Sequence, residues 1–243
     1  MIIDFHCHVG KDISGNEMLS FDELKSEMDR WDVDKAVVFP FNSKDLIGDS
    51  LKILEESKSK GWIIPFLRFN PNLIEEKVLK SLLEKNFMGI KLHPTSQKFR
   101  PDNPKFFWIY EICEKEGIPI LFHSSTASLS YAHPKFILNL SNQFPHLKII
   151  MAHFFASGFK LMEEFAKHEN LYVDLSISSG TLKRKQAIEK YGMENLIFAS
   201  DIPYDSMGVS LLKIKEVGFG KDDLDKIMYK NALKVLRKFP RKP

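Results

Sequence analysis

Histidines and carboxylates gather at a few points of this chain. Asp4-Phe5-His6-Cys7-His8 opens the sequence, and Lys91-Leu92-His93-Pro94, Phe122-His123-Ser124, Ala152-His153 and Ser200-Asp201-Ile202-Pro203 follow at wide intervals. Five of the eight histidines lie in these stretches. Imidazole nitrogen and carboxylate oxygen without thiolate suit a borderline divalent cation, zinc first among them, provided each imidazole keeps a neutral nitrogen. Such a cation lowers the pKa of a bound water and polarises the carbonyl that the water attacks. In a strand, His6 and His8 project together and can share one ion, while Phe5 and Cys7 point the other way and Asp4 lies one step deeper on the histidine face. Asp201 can bind such an ion through one oxygen and accept the water's proton with the other. The plainer readings are a hydrogen-bonded histidine pair and an aspartate that caps the turn before Pro203.

Those side chains need elements that bring them together. Short β-branched and aromatic runs recur at Ile2–His6, Lys35–Phe39, Trp62–Phe69, Met88–His93, Ile118–His123, Lys148–His153, Leu171–Ile177 and Leu196–Asp201, and they read as strands. Between them the apolar spacing turns helical, over Phe21–Trp31, Leu46–Lys60, Leu73–Leu83, Lys105–Glu116, Lys135–Phe144, Gly158–Lys167, Leu182–Tyr191 and Ser210–Val217. A last helix runs from Asp222 to Lys238, stopped by Pro240. Strand ends fall near residues 8, 39, 69, 93, 123, 153, 176 and 201, one βα unit apart each time. Eight units without a linker predict a single α/β domain over residues 1–243, a (β/α)8 TIM barrel, with functional side chains at the carboxyl ends of the strands. An open doubly wound sheet is the rival, weakened by the lack of a Gly-rich turn after the first strand.

Composition narrows the partners. The net charge of +3 is too mild for a nucleic-acid or anionic-membrane footprint, and no stretch is continuously apolar enough to span a bilayer. Two cysteines, Cys7 and Cys113, make no disulfide framework, and no leader-like segment precedes the first strand, so a cytoplasmic home is expected. Cys7 reads as a small core residue, His133, His146 and His168 as surface residues, and the basic run from Lys234 to Lys242 as a solvated tail.

The ordered motifs, together with Gly89-Ile90-Lys91-Leu92-His93-Pro94, Tyr172-Val173-Asp174-Leu175-Ser176 and Asn231-Ala232, resemble the amidohydrolase superfamily, in its amidohydrolase-related branch of hydrolases and nonoxidative decarboxylases. Two departures stand out: Phe154-Phe155 replaces a small, Gly-containing stretch, and Ala199 stands where Gly often precedes Ser-Asp. The resemblance implies two metal arrangements. In the favoured mononuclear one, His6, His8, His123 and Asp201 hold one ion, His153 orients water or substrate, and Lys91 and His93 contact substrate. In the binuclear one, a carboxylated Lys91 bridges two ions and His123 and His153 hold the second.

An unmodified Lys91 suits a substrate carboxylate, with an outward ion pair as its plain alternative. Arg68 can grip a carboxylate bidentately or form a salt bridge on the barrel rim. His93 can polarise a substrate carbonyl or make a structural hydrogen bond before Pro94, and Ser124, Ser125 and Thr126 line the pocket or turn the chain. The expected function is metal-dependent hydrolysis of an amide, lactone or ester of a small, carboxylate-bearing substrate. Asp201 takes the proton, and His153 or His93 stabilises the oxyanion. The alternatives are a nonoxidative decarboxylase of an aromatic or unsaturated acid, and a non-catalytic metal- or ligand-binding barrel. A bare barrel with short loops leaves specificity to those loops or to a second copy in a homo-oligomer.

Overall fold

The runs rich in β-branched and aromatic residues pair side by side in chain order, as parallel strands buried on both faces do. The computed structural model describes residues 1–127, 130–153, 162–177, 185, 188–189 and 192–237. Its strands are β1 (Ile3–Lys11), β2 (Met18–Leu19), β3 (Lys35–Pro40), β4 (Ile63–Arg68), β5 (Gly89–Leu92), β6 (Ile120–Phe122), β7 (Ile149–Met151), β8 (Leu171–Asp174) and β9 (Leu196–Ile197). From β1 through β3 to β9 each strand lies parallel to the next, and β2 adds only a short antiparallel hairpin to the end of β1. The sheet then closes on itself. Phe5 N–H donates to Phe198 O at 3.0 Å, Asp201 N–H to His6 O at 2.9 Å and His8 N–H to Ile202 O at 3.0 Å. The result is the predicted TIM barrel, with all eight predicted strands present and β1 extended into a hairpin that the sequence reading lacks.

Helices follow the strands where their caps and apolar stripes dictate. Phe21–Arg30 begins at a capping box in which Ser20 and Glu23 satisfy each other's backbone N–H groups. Leu46–Ser59 is capped by Asp45, Pro134–Gln143 by His133 and Met207–Lys215 by Ser206. His133 is thus a helix cap, which explains its place without any ligand. The predicted helix over 73–83 starts only at Glu76, leaving Leu73 exposed in the preceding turn. Of the predicted helix over 158–167, Met162–Phe165 is helical and the earlier residues lie outside the described ones. Most of the helix over 182–191, Phe154-Phe155 and the tail from 238 also lie outside them. No helix among the described residues is long and apolar enough to cross a membrane.

The barrel interior is a second apolar cluster, separate from the strand–helix layer. Ile3, Phe5, Val37, Phe39, Ile64, Phe66, Leu121, Ile150, Tyr172 and Ile197 fill it, and Ala232, Val235 and Leu236 from the last helical segment pack against it. Gly89 belongs to the same level: a Cβ there would overlap the Phe66 ring, so the glycine is what lets that ring cross the barrel.

Phe5 corrects the simple alternation. It packs inside the barrel with Phe66 at 5.6 Å, whereas Cys7 and Val9 belong to the outer layer. The β1–β3 register shifts between Asp4 and Cys7, and this irregularity lets consecutive residues Phe5 and His6 both serve the interior. Asp4 is therefore not the floor beneath the histidines. Its Oδ1 accepts from His6 N–H at 3.1 Å and Ser200 N–H at 3.0 Å, tying the two strands at the seam.

Candidate metal centre

Polar side chains converge above the apolar plug, at the carboxyl ends of the strands. A cavity of about 310 Å³ opens there, lined among the described residues by His6, His8, Asp12, Ser14, Asn42, Arg68, Lys91, His93, Ser96, His123, His153, Ile177, Asp201 and Tyr204. Every sequence-predicted site residue is in this set. Two reach it through unusual backbone. His153 follows inward-facing Ala152 and would point outward by strand alternation, but its φ of +57° turns it back, and Asp201 has a φ of +65°. Left-handed conformations at non-glycine residues cost energy and tend to cluster at functional sites.

Asp201 is the hub. Its Oδ1 lies 3.0 Å from His6 Nε2 and 3.1 Å from His8 Nε2, and its Oδ2 lies 3.8 Å from His153 Nε2. Burial alone would raise its pKa, but attraction to the His6 and His8 imidazoles beside it outweighs that and holds the carboxyl well below its usual range. Burial drives the His8 imidazole down to about 3 and that of His153 to about 4, so both rings are neutral and offer lone pairs at neutral pH. Donor atoms of His6, His153 and Asp201 lie within 4.8 Å of one another. His8 joins this group through the shared Oδ1. His123 stands apart: its ring stacks on that of His93 at 3.8 Å and meets His153 edge-on at 4.9 Å.

Behind the imidazoles is a residue pair that strand-end reasoning did not assign to the site. Asp174, at the end of β8, accepts His6 Nδ1–H at 2.6 Å through Oδ2. Its Oδ1 accepts Ser176 N–H at 2.8 Å and the Ser176 hydroxyl, and His153 Nδ1 lies 2.8 Å from Ser176 Oγ. Both residues are completely buried. The signal was present in the sequence, since Asp174 and Ser176 are two apart and share a strand face, but neither is a histidine.

The donor set fits a divalent cation. His6 gives its Nδ1 proton to Asp174, so in the neutral ring Nε2 is a lone pair that faces the acceptor Asp201 Oδ1 across 3.0 Å. Two acceptors at that separation need positive charge between or beside them, which a proton on Nε2, the Lys91 ammonium 3.0 Å away or a metal ion can each supply. Burial and Lys91 push His6 toward neutrality, yet Asp201 and Asp174 prevail and hold its pKa above the ordinary histidine value, so this corner of the cavity favours positive charge. Three imidazoles and one carboxylate are hard-to-borderline ligands of the kind that zinc and manganese accept.

The other wall carries cations. Lys91 is only 1% exposed, with Nζ 3.0 Å from His6 Nε2 and 4.9 Å from the Phe39 ring centre. This replaces the outward ion pair. Burial brings its pKa down to about 7 against the pull of Asp201 and Asp174. Arg68, also 1% exposed, is no rim salt bridge: one guanidinium nitrogen donates to Pro40 O at 2.8 Å, and Nε has no hydrogen-bond partner among the described residues. Burial lowers its pKa to about 10, which leaves it charged at neutral pH. Nearby, Asp12 accepts from Ser14 and from the Tyr204 hydroxyl, a contact between the β1 hairpin and the loop after β9 that was not predicted.

His93 Nδ1 accepts from Ser96 N–H at 3.2 Å, so in the neutral ring Nε2 carries the proton and remains a donor. Burial, followed by the charges of Arg68 and Lys91, holds its pKa well below the usual value. The structural hydrogen bond of His93 is thus made by Nδ1, while the ring lines the cavity. Ser124 donates to Ala152 O and so serves the barrel wall.

With this geometry in view, the amidohydrolase family model matches residues 51–238. The chain belongs to the amidohydrolase family. Solved structures share the fold across nearly the whole chain. The 5-carboxyvanillate decarboxylase from Sphingomonas paucimobilis aligns with a TM-score of 0.80 at 15% identity, covering 98% of this chain and 99% of that one. A protein assigned as a 2-pyrone-4,6-dicarboxylic acid hydrolase from Pseudomonas putida gives 0.75 at 16% identity, with 96% of each chain covered. A dihydroxybenzoic acid decarboxylase from Polaromonas, with manganese and the inhibitor 2-nitroresorcinol bound, gives 0.76 at 14% identity and 96% coverage of both chains. No curated protein matches. This amidohydrolase-family barrel thus shares its architecture with proteins of two reaction types.

Proposed function

We propose that the protein is a metal-dependent hydrolase that opens an ester, lactone or amide of a small carboxylate-bearing substrate. One observation carries the reading: a buried carboxylate with three imidazoles within 4 Å lines the same cavity as a buried guanidinium and a buried lysine. His6, His8 and Asp201 form the common part of the ligand set. The resemblance favours His123 as the fourth ligand and the geometry favours His153, and the metal content of the two alanine variants separates them. A carboxylated Lys91 bridging a second ion is the binuclear version, which metal stoichiometry and carbonate-dependent activity would reveal. When bound, the divalent ion, zinc or manganese, acidifies water and polarises the scissile carbonyl.

The chain's own groups do the rest. Arg68 and Lys91 bind the substrate carboxylate, the guanidinium offering its unpartnered Nε–H. Asp201 accepts the proton of the attacking water, its low pKa ensuring that it is ionised beforehand. His93 donates Nε2–H to the carbonyl oxygen as negative charge develops, and His153 orients the nucleophile if His123 takes the fourth ligand place. A cavity of about 310 Å³ admits a small molecule. The three structural neighbours described above bear names of carboxylic acids as their substrates, which supports an anionic substrate here.

Nonoxidative decarboxylation is the second reading, supported by the decarboxylase names among those neighbours. The test is a screen of lactones, esters and aromatic acids with metal-loaded protein in ¹⁸O-water. Label in the product supports hydrolysis, and carbon dioxide release without label supports decarboxylation. Protein that carries no stoichiometric metal and turns over regardless of chelator would sink both. Metal binding with no turnover across the screen would favour the non-catalytic barrel.

A further inference from the structure

Asp174 accepts from three donors on two residues, and a carboxylate can only accept. We propose that Asp174 is the positioning residue of the site: it fixes the proton on Nδ1 of both His6 and His153, so that both rings present Nε2 lone pairs to the Asp201 side of the cavity. The inference deepens the metal-dependent reading above and rests on it for its functional meaning, though not for its geometry.

Counting protons along the chain of contacts fixes both tautomers. The Asp174 Oδ2 contact at 2.6 Å obliges His6 Nδ1 to be the donor. At Oδ1 the Ser176 hydroxyl must donate as well, and this uses its only proton. Ser176 Oγ is then left solely as an acceptor toward His153, so His153 Nδ1, at 2.8 Å, must carry hydrogen. One buried carboxylate thereby sets two tautomers, one directly and one through a hydroxyl relay. The Ser176 N–H bond to the same Oδ1 at 2.8 Å holds the relay in place, and complete burial of both residues denies water the chance to substitute. His8 shows the contrast: among the described residues its buried Nδ1 has no hydrogen-bond partner, so no such device is seen at that ring. Partners of this kind orient metal-binding imidazoles and raise their basicity.

The test uses full-length, metal-free protein labelled with ¹⁵N-histidine, at a pH high enough that both rings are neutral. Two-bond proton–nitrogen spectra report which ring nitrogen is protonated. Wild type is expected to show Nδ1–H at His6 and at His153. In Asp174→Asn one of the two faces becomes a donor, so at least one ring must move its proton to Nε2. Ser176→Ala removes only the relay, so His153 alone changes; this variant also answers the question if Asp174→Asn fails to fold. Zinc affinity, read by competition with a chromophoric chelator, is expected to fall about 10- to 100-fold in Asp174→Asn. A variant that loses thermal stability but keeps both rings protonated at Nδ1 would overturn the proposal, as would a wild type with Nε2–H at either ring. If the tautomers are as stated but wild type binds no zinc, the positioning role is supported and the metal-dependent reading is what fails.

Discussion

The wall of the cavity built on β1, β7, β8 and β9 differs in kind from the wall built on β4, β5 and β6. On the first, Asp201 and Asp174 face three imidazoles, and both His6 nitrogens and His153 Nδ1 have close polar partners. On the second stand a guanidinium, an ammonium and two stacked imidazoles, with no carboxylate among the described lining residues there. The first wall is rich in acceptors and draws positive charge. The second is rich in donors whose own pairing is incomplete, as the lone Nε of Arg68 shows. A barrel makes this division cheap, since each strand contributes its terminal residues independently and opposite walls never compete for the same backbone. The lesson is that acceptor-rich and donor-rich strand ends occupy different arcs of one ring, meeting where Lys91 Nζ lies 3.0 Å from His6 Nε2.

Removing the centre of the acceptor wall should have the largest effect. Asp201→Asn keeps the shape but removes the charge and the proton acceptor, and kcat is expected to fall about 10²- to 10⁴-fold. Steady-state kinetics with parallel metal analysis check it, and an active variant would end the assignment of Asp201. On the donor wall, Arg68→Met is expected to lose one charged hydrogen bond, about 2 kcal/mol or roughly 30-fold in kcat/KM. The loss should vanish for an uncharged ester of the same substrate, and an equal loss for both forms would move the anion site elsewhere. His93→Phe keeps the stacked plane against His123 but deletes the Nε2–H donor together with the Nδ1 acceptor of Ser96 N–H, whose loss is read separately as a change in thermal midpoint. The expected cost is about 1 kcal/mol, near fivefold in kcat, with metal content unchanged. Metal loss in this variant would blur the division between the walls.

The smallest effect on chemistry belongs to the plug beneath both walls. Gly89→Ala forces the Phe66 ring aside and should cost about 1–3 kcal/mol of stability, seen as a lower midpoint in denaturant, without altering the metal content.

Much of this was legible in the chain. All eight strands follow from runs of β-branched and aromatic residues, and every residue proposed for the site lies at the cavity. Periodicity is a local property, and a barrel converts it directly into a ring of strand ends. What failed was strict alternation. Phe5 and His6 both serve the interior because the register shifts between Asp4 and Cys7, and His153 turns inward on a left-handed φ. Neither feature has a mark in the residue types: an irregular register is set by the neighbouring strand, and a strained dihedral persists only where surrounding contacts hold it.

The sequence by itself determined the barrel, the inventory of imidazoles, carboxylates and cations, and the family. Only the tertiary structure decided their grouping: His153 near Asp201, His123 against His93, Arg68 buried rather than on the rim, and Asp174 behind two imidazoles at once. The physical reason is range. Strand and helix periods act over a few residues, whereas a hydrogen bond from residue 6 to residue 174 exists only once closure of the barrel has brought the two ends of the chain together.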